Sequence, residues 1–119
     1  MDHRHQMSLP EFYHGWDLAR LRVQASIDMR LRDRAAGAVD GITKHLMGAL
    51  AETAVAGALG LPWPTGVNTF HAEPDLAPNI EVRWRSRRDY ELIVRDDDRQ
   101  DCVFVLVTGA PPVMEIRGW

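Results

Sequence analysis

Leu59-Gly60-Leu61-Pro62-Trp63-Pro64 divides the chain into halves of different periodicity, and that division decides the fold. On its N-terminal side, Thr43 to Leu59 is rich in alanine and leucine, and Gly60 is the residue type that closes a helix in a left-handed C-terminal cap. Pro62 and Pro64 oppose any continuation of the helix. On its C-terminal side the runs are short and β-prone: Val67 to His71, Ile80 to Trp84, Tyr90 to Arg95, Val103 to Thr108 and Val113 to Arg117. Helices followed by strands predict an α/β chain of the α+β kind, with N-terminal helices packed on a central mixed or mostly antiparallel sheet.

Working outward, Ser8-Leu9-Pro10-Glu11 has the form of a capping box and predicts a helix that begins there and runs to about Asp33. Phe12, Trp16, Leu18, Leu21, Val23 and Ile27 recur at roughly helical spacing and define its core face. Arg20, Arg22, Arg30, Arg32 and Arg34 are assigned to solvent. Ala36 to Gly41 reads as a loop, so residues 1–41 form an N-terminal helix and loop and 42–119 the core of a single domain. Asp96-Asp97-Asp98 makes a polar turn, which predicts an antiparallel hairpin of Tyr90–Arg95 with Val103–Thr108. The last strand runs into Gly118-Trp119 with no polar tail, which suggests a chain truncated at its C-terminus.

The 119 residues, 45% of them hydrophobic, suffice for one core. A net charge of −3 gives no molecule-wide field that would draw in polyanions, so phosphate contacts must come from a local patch. The single cysteine, Cys102, excludes an internal disulfide and is expected in the core or on an edge strand. No stretch approaches a membrane span and no secretory signal is present, so no membrane partner is expected and a cytoplasmic location follows by default. His3, His5 and His14 show no zinc spacing and are assigned to a disordered terminus or a helix surface.

The chemistry concentrates in acidic residues. Glu52 shares a helix side with His45 and with the small Gly48, Ala49 and Ala56, which would let the helix pack closely on a sheet with the carboxylate turned across that interface; an ordinary solvent-facing glutamate is the plain alternative that the helix alone favours. Pro74-Asp75 precedes Ile80-Glu81-Val82-Arg83-Trp84, in which period-2 geometry puts Glu81 and Arg83 on one face and Ile80, Val82 and Trp84 on the other, Trp84 in the core. Arg85, Arg87 and Arg88 follow as candidate phosphate contacts, with a solvated turn paired to Asp89 and Glu91 as the plain alternative. His45 and His71 lie near the acids and are secondary candidates.

A glutamate-bearing helix, a strand, Pro-Asp, then apolar-Glu-X-basic on the next strand resembles the PD-(D/E)XK nuclease superfamily, of phage type, over Gly48 to about Thr108. The resemblance implies a restriction-endonuclease-like core and a metal-dependent nuclease that hydrolyses DNA phosphodiesters. It makes Glu52, Asp75 and Glu81 ligands of Mg²⁺ or Mn²⁺ and puts Arg83 in the position of the motif lysine. Host cytoplasm is then the expected location, and a homodimer is expected because one small chain offers little surface to a duplex. Arg83 departs from the pattern, since a guanidinium stays protonated and cannot serve as a base. The Asp75 to Glu81 spacing is short for the family. The alternative reading is a catalytically inactive nuclease-fold protein that binds nucleic acid or protein.

Overall fold

The computed structural model describes residues 3–33, 38–67, 74–87 and 101–118. Two helices, α1 (Leu9–Asp33) and α2 (Ala38–Leu59), follow a short strand β1 (His3–Gln6) and precede β2 (Ile80–Trp84), β3 (Val103–Ala110) and β4 (Val113–Gly118). The α+β class is therefore as the sequence predicts. The strands form one mixed sheet in the order β1-β4-β3-β2, with β2 parallel to β3 and the other pairs antiparallel.

The capping box forms as expected: the Ser8 N–H donates to Glu11 Oε1 at 2.8 Å and the Glu11 N–H donates to Ser8 Oγ at 3.2 Å. Helix α2 starts at Ala38, five residues before the predicted Thr43, and ends where predicted, with Gly60 at a φ of 70°. It lies between α1 and the sheet, and Ala49, Leu50, Ala51, Ala54, Val55 and Ala56 are all buried, as a helix apolar on two sides must be. The stripe of small residues is divided: Ala49 packs with Leu18 and Ala19 of α1, whereas Ala56 belongs to the core cluster that includes the sheet. Gly15 allows the close approach from the other side, since a Cβ there would come within 2.8 Å of Leu50 Cδ2.

Strands β2, β3 and β4 fall where the alternation puts them. Val82, Val105, Val107, Met114 and Ile116 pack on α2 with Leu50, Ala54 and Val55, and Ile80 and Trp84 join them from the edge strand. Two expectations change. His3 and His5 lie in β1, which pairs along β4 (His3 with Ile116, Gln6 with Val113) and is not a disordered tail. The expected hairpin partner of β3, Tyr90–Arg95, lies outside the described residues; among those described β3 is flanked by a parallel β2 and an antiparallel β4, and over Leu106 and Val107 both of its edges are taken. A parallel pair needs a long crossover, which the intervening residues 85–102 supply. Trp16, Leu21 and Ile27 are exposed, because the stripe of α1 that meets α2 is Glu11, Gly15, Leu18, Ala19 and Arg22. The proposed strands Val67–His71 (beyond Val67) and Tyr90–Arg95, the Asp96–Asp98 turn and the side chains of Arg30, Arg32 and Arg34 lie outside the description. No described helix is long and apolar enough to cross a membrane.

Candidate functional site

Asp75 sits in the loop that leads into β2. The backbones of Leu76 and Ile80 exchange two hydrogen bonds of 2.9 Å, so residues 76–80 close a tight turn and carry Asp75 back beside the strand. There the Val82 N–H donates to Asp75 Oδ2 at 2.7 Å. The short spacing from Asp75 to Glu81 thus accommodates a turn where the nuclease pattern has a strand. Asp75 and Glu81 end close enough for each carboxyl to shift the other. Burial pushes both above the usual carboxylate range, each reinforced or restrained by neighbours: Asp75 drives Glu81 further up, while Val82 N–H, Arg22 and Arg83 pull Asp75 down and Arg83 pulls Glu81 down.

Glu52 reaches the same centre from α2, where it is buried at 5% exposure. Both of its oxygens accept from the Arg22 guanidinium, at 2.6 and 2.9 Å, a bidentate fork across the two helices. Burial pushes its carboxyl up to about 7; Arg22 opposes this, and Asp75 and Glu81 add to it through space. Arg22 is raised in turn: burial lowers it, but the Glu52 hydrogen bonds and the charges of Glu52 and Asp75 outweigh that. The structure therefore brings Glu52, Asp75 and Glu81 into mutual electrostatic range from a helix, a loop and a strand. It does not converge them into a cage: among the described residues no group of three or more His, Cys, Asp or Glu side chains is placed to hold a metal ion. Glu52 is engaged by Arg22, and the hard oxygen donors that remain are those of Asp75 and Glu81.

Glu81 and Arg83 share the sheet face away from α2, as the alternation predicts. Arg83 lies with its guanidinium carbon 5.3 Å from the centre of the Phe104 ring, close enough to both acids to lower them. Arg85 is half-buried and Arg87 exposed, and Arg85 stands about 13 Å farther along the strand than Glu81 by ordinary strand rise. Arg88 and His71 lie outside the described residues. His45 is half-buried on the first half of α2.

Beside the acids opens a cleft of about 350 Å³ whose walls include Arg22, Trp63, Pro64, Pro74, Asp75 and Pro78. Helix α1 fixes the near wall at two points. Arg22 Nε donates to the Gly66 carbonyl at 2.8 Å, and the His14 ring donates from Nε2 to the Pro64 carbonyl while meeting the Trp63 ring edge-on at 5.2 Å. The sequence assigns Arg22 to solvent and His14 to a terminus or helix surface, and does not single out Trp63. The one local signal was Trp63 between two prolines, which stiffen the backbone around an aromatic ring.

No protein-family model, no curated protein and no solved structure matches this chain.

Proposed function

We propose that this centre hydrolyses phosphodiester bonds of DNA with the help of Mg²⁺ or Mn²⁺, in the manner of the PD-(D/E)XK nucleases that the sequence resembles. The observation that carries the reading is the neighbouring Asp75 and Glu81 carboxyls, Asp75 in the wall of a cleft, with the buried Glu52 in electrostatic range and, among the described residues, Arg22 and Arg83 as the cations that lower them. Such a donor set fits a hard divalent ion. Mg²⁺ is commonly held by one or two carboxylates, with water and substrate phosphate completing an octahedron. Asp75 and Glu81 would hold it; when bound, such an ion polarises the phosphate and lowers the pKa of the attacking water. Arg83, a fixed positive charge beside both acids, is suited to steadying charge that develops on the phosphate. Arg22 keeps Glu52 in place behind Asp75 and adds positive potential at the cleft.

The second reading, a nuclease-fold protein without catalysis, draws on two observations: Arg83 occupies the lysine position, and Glu52 is occupied by Arg22. One set of experiments separates the two. Labelled single-stranded, duplex and branched DNA are incubated with the protein in Mg²⁺, in Mn²⁺ and in EDTA. The nuclease reading expects cleavage in either metal, none in EDTA, and a loss of about a hundredfold or more in Asp75→Asn and Glu81→Gln, the scale of removing groups that act only on the transition state. DNA binding without cleavage of any form leaves the binding module in its place. Self-association belongs to the same reading, and Leu9, Tyr13 and Trp16 form an exposed apolar stripe on α1 that suits it. Light scattering that shows a monomer at high concentration removes it.

A further inference from the structure

The cleft beside the acids has the size and lining of a seat for one unstacked nucleobase. We infer that Trp63 stacks a single base of DNA in this cleft, so that the protein engages single-stranded segments or frayed ends and not an intact duplex. This deepens, and rests on, the nuclease reading above.

Three features carry the inference. The first is volume: about 350 Å³ lies at the low end of small-ligand sites, roughly 300–1,000 Å³, enough for one nucleoside and far too small for paired strands. The second is an aromatic platform already in position. Trp63 is 37% exposed, yet its ring is braced edge-on by His14, and its backbone is flanked by Pro62 and Pro64 and tied to α1 through the Pro64 and Gly66 carbonyls. An exposed indole held in one orientation loses little conformational entropy when a base stacks on it. The lining also includes Pro74, Leu76 and Pro78, apolar residues that suit contact with a flat ring.

The third feature is where the polar groups lie. Arg22 and Asp75 stand in the same cleft, so a base seated on Trp63 places its own sugar and phosphate next to the acid pair. Arg22 gives three of its five N–H groups to Glu52 and Gly66, which leaves donors for a base edge or a phosphate oxygen. The net charge of −3 gives no molecule-wide attraction for a duplex backbone. Stacking needs none, because every base has a π-face. A base paired in B-form DNA cannot reach such a cleft without leaving its stack, which costs a few kcal/mol and is least costly where the strand is already single.

The test uses the full chain in EDTA, so that binding is read without cleavage. Fluorescence anisotropy follows a labelled single-stranded oligonucleotide and a hairpin of the same stem sequence, closed by a non-nucleotide linker and clamped by G·C pairs at its open end, at fixed salt, against the wild type, Trp63→Ala and Trp63→Phe. The expected result is tighter binding of the single strand by the wild type, a loss on the order of tenfold in Trp63→Ala, the scale of one lost stack, and near-wild-type binding in Trp63→Phe. Circular dichroism and a thermal melt establish that each variant is folded. Equal affinity for the hairpin, or an unchanged single-strand affinity in folded Trp63→Ala, overturns the inference. The two readings fail separately: Trp63-dependent binding with no cleavage in Mg²⁺ removes the nuclease and keeps the cleft, whereas metal-dependent cleavage of duplex untouched by Trp63→Ala keeps the nuclease and removes the cleft.

Discussion

Replacing Arg22 by methionine isolates the buried Glu52 carboxyl and makes stability depend on pH in a way the wild type does not. The pair is well shielded, with side-chain exposures of 15% for Arg22 and 6% for Glu52. In the folded wild type the Glu52 carboxyl is pushed up from 4.5 to about 7. A carboxyl raised on folding stabilises the protein in its protonated form, so that contribution is fully present below about pH 4.5 and declines as the pH rises to 7. Above 7 the wild type levels off, because folded Glu52 ionises against Arg22. In Arg22→Met no guanidinium receives the charge, the carboxyl keeps its proton, and each further pH unit costs about 1.4 kcal/mol. The gap between variant and wild type should therefore be about 1–2 kcal/mol at pH 6, from the lost hydrogen bonds, and widen by about 3 kcal/mol between pH 7 and 9. Urea denaturation at pH 6, 7, 8 and 9 in EDTA measures it. The double variant Arg22→Met, Glu52→Leu should recover much of the loss and show no widening, since breaking a buried pair costs more than removing it. A gap that stays constant from pH 6 to 9, or a double variant less stable than Arg22→Met, refutes the reasoning.

Further predictions concern the rest of the buried polar groups. Gly57→Ala should destabilise by about 2 kcal/mol in thermal melts, because the added Cβ would overlap the Glu11 carboxylate and lie 3.2 Å from His5 Nε2; an unchanged melting temperature would show that the Ser8–Glu11–His5 cluster moves freely. Glu11, whose carboxyl burial raises but Ser8 and His5 pull below the usual 4.5, should contribute stability above about pH 4.5 that is lost as the pH falls through its lowered value. Glu11→Gln should flatten that acid limb in denaturation curves taken from pH 3 to 6, and an unaltered limb counts against it. The Thr108 hydroxyl is buried with no hydrogen-bond partner among the described residues, so Thr108→Val, which keeps the shape, should raise stability by about 1 kcal/mol. A loss in Thr108→Val would mean the hydroxyl has a partner.

Local signals were enough for much of the architecture. The capping box at Ser8, the glycine and prolines after Leu59 and the alternation in β2, β3 and β4 each act within a few residues, through hydrogen bonds and side-chain faces that the sequence states outright. The acids were legible in the same way, since Pro-Asp and Glu-X-Arg are local patterns, and the structure brings Glu52, Asp75 and Glu81 into electrostatic range of one another. What tertiary structure alone decided is which partner each group meets. Strand β1 is four polar residues with no strand signal, and it exists because β4 offers a free edge. Arg22 has the spacing of a solvent-facing arginine, but α1 packs on α2 along Gly15 and Ala19, which turns Arg22 inward onto Glu52. That contact spans 30 residues of chain and takes the helix glutamate out of the donor set. The cleft with Trp63 arises the same way, from two loops 12 residues apart, Pro62–Gly66 and Pro74–Pro78, held by side chains of α1. Hydrophobic periodicity specifies a face, but not which face of another element will cover it, and at this site that choice decides which carboxylates remain open to a ligand.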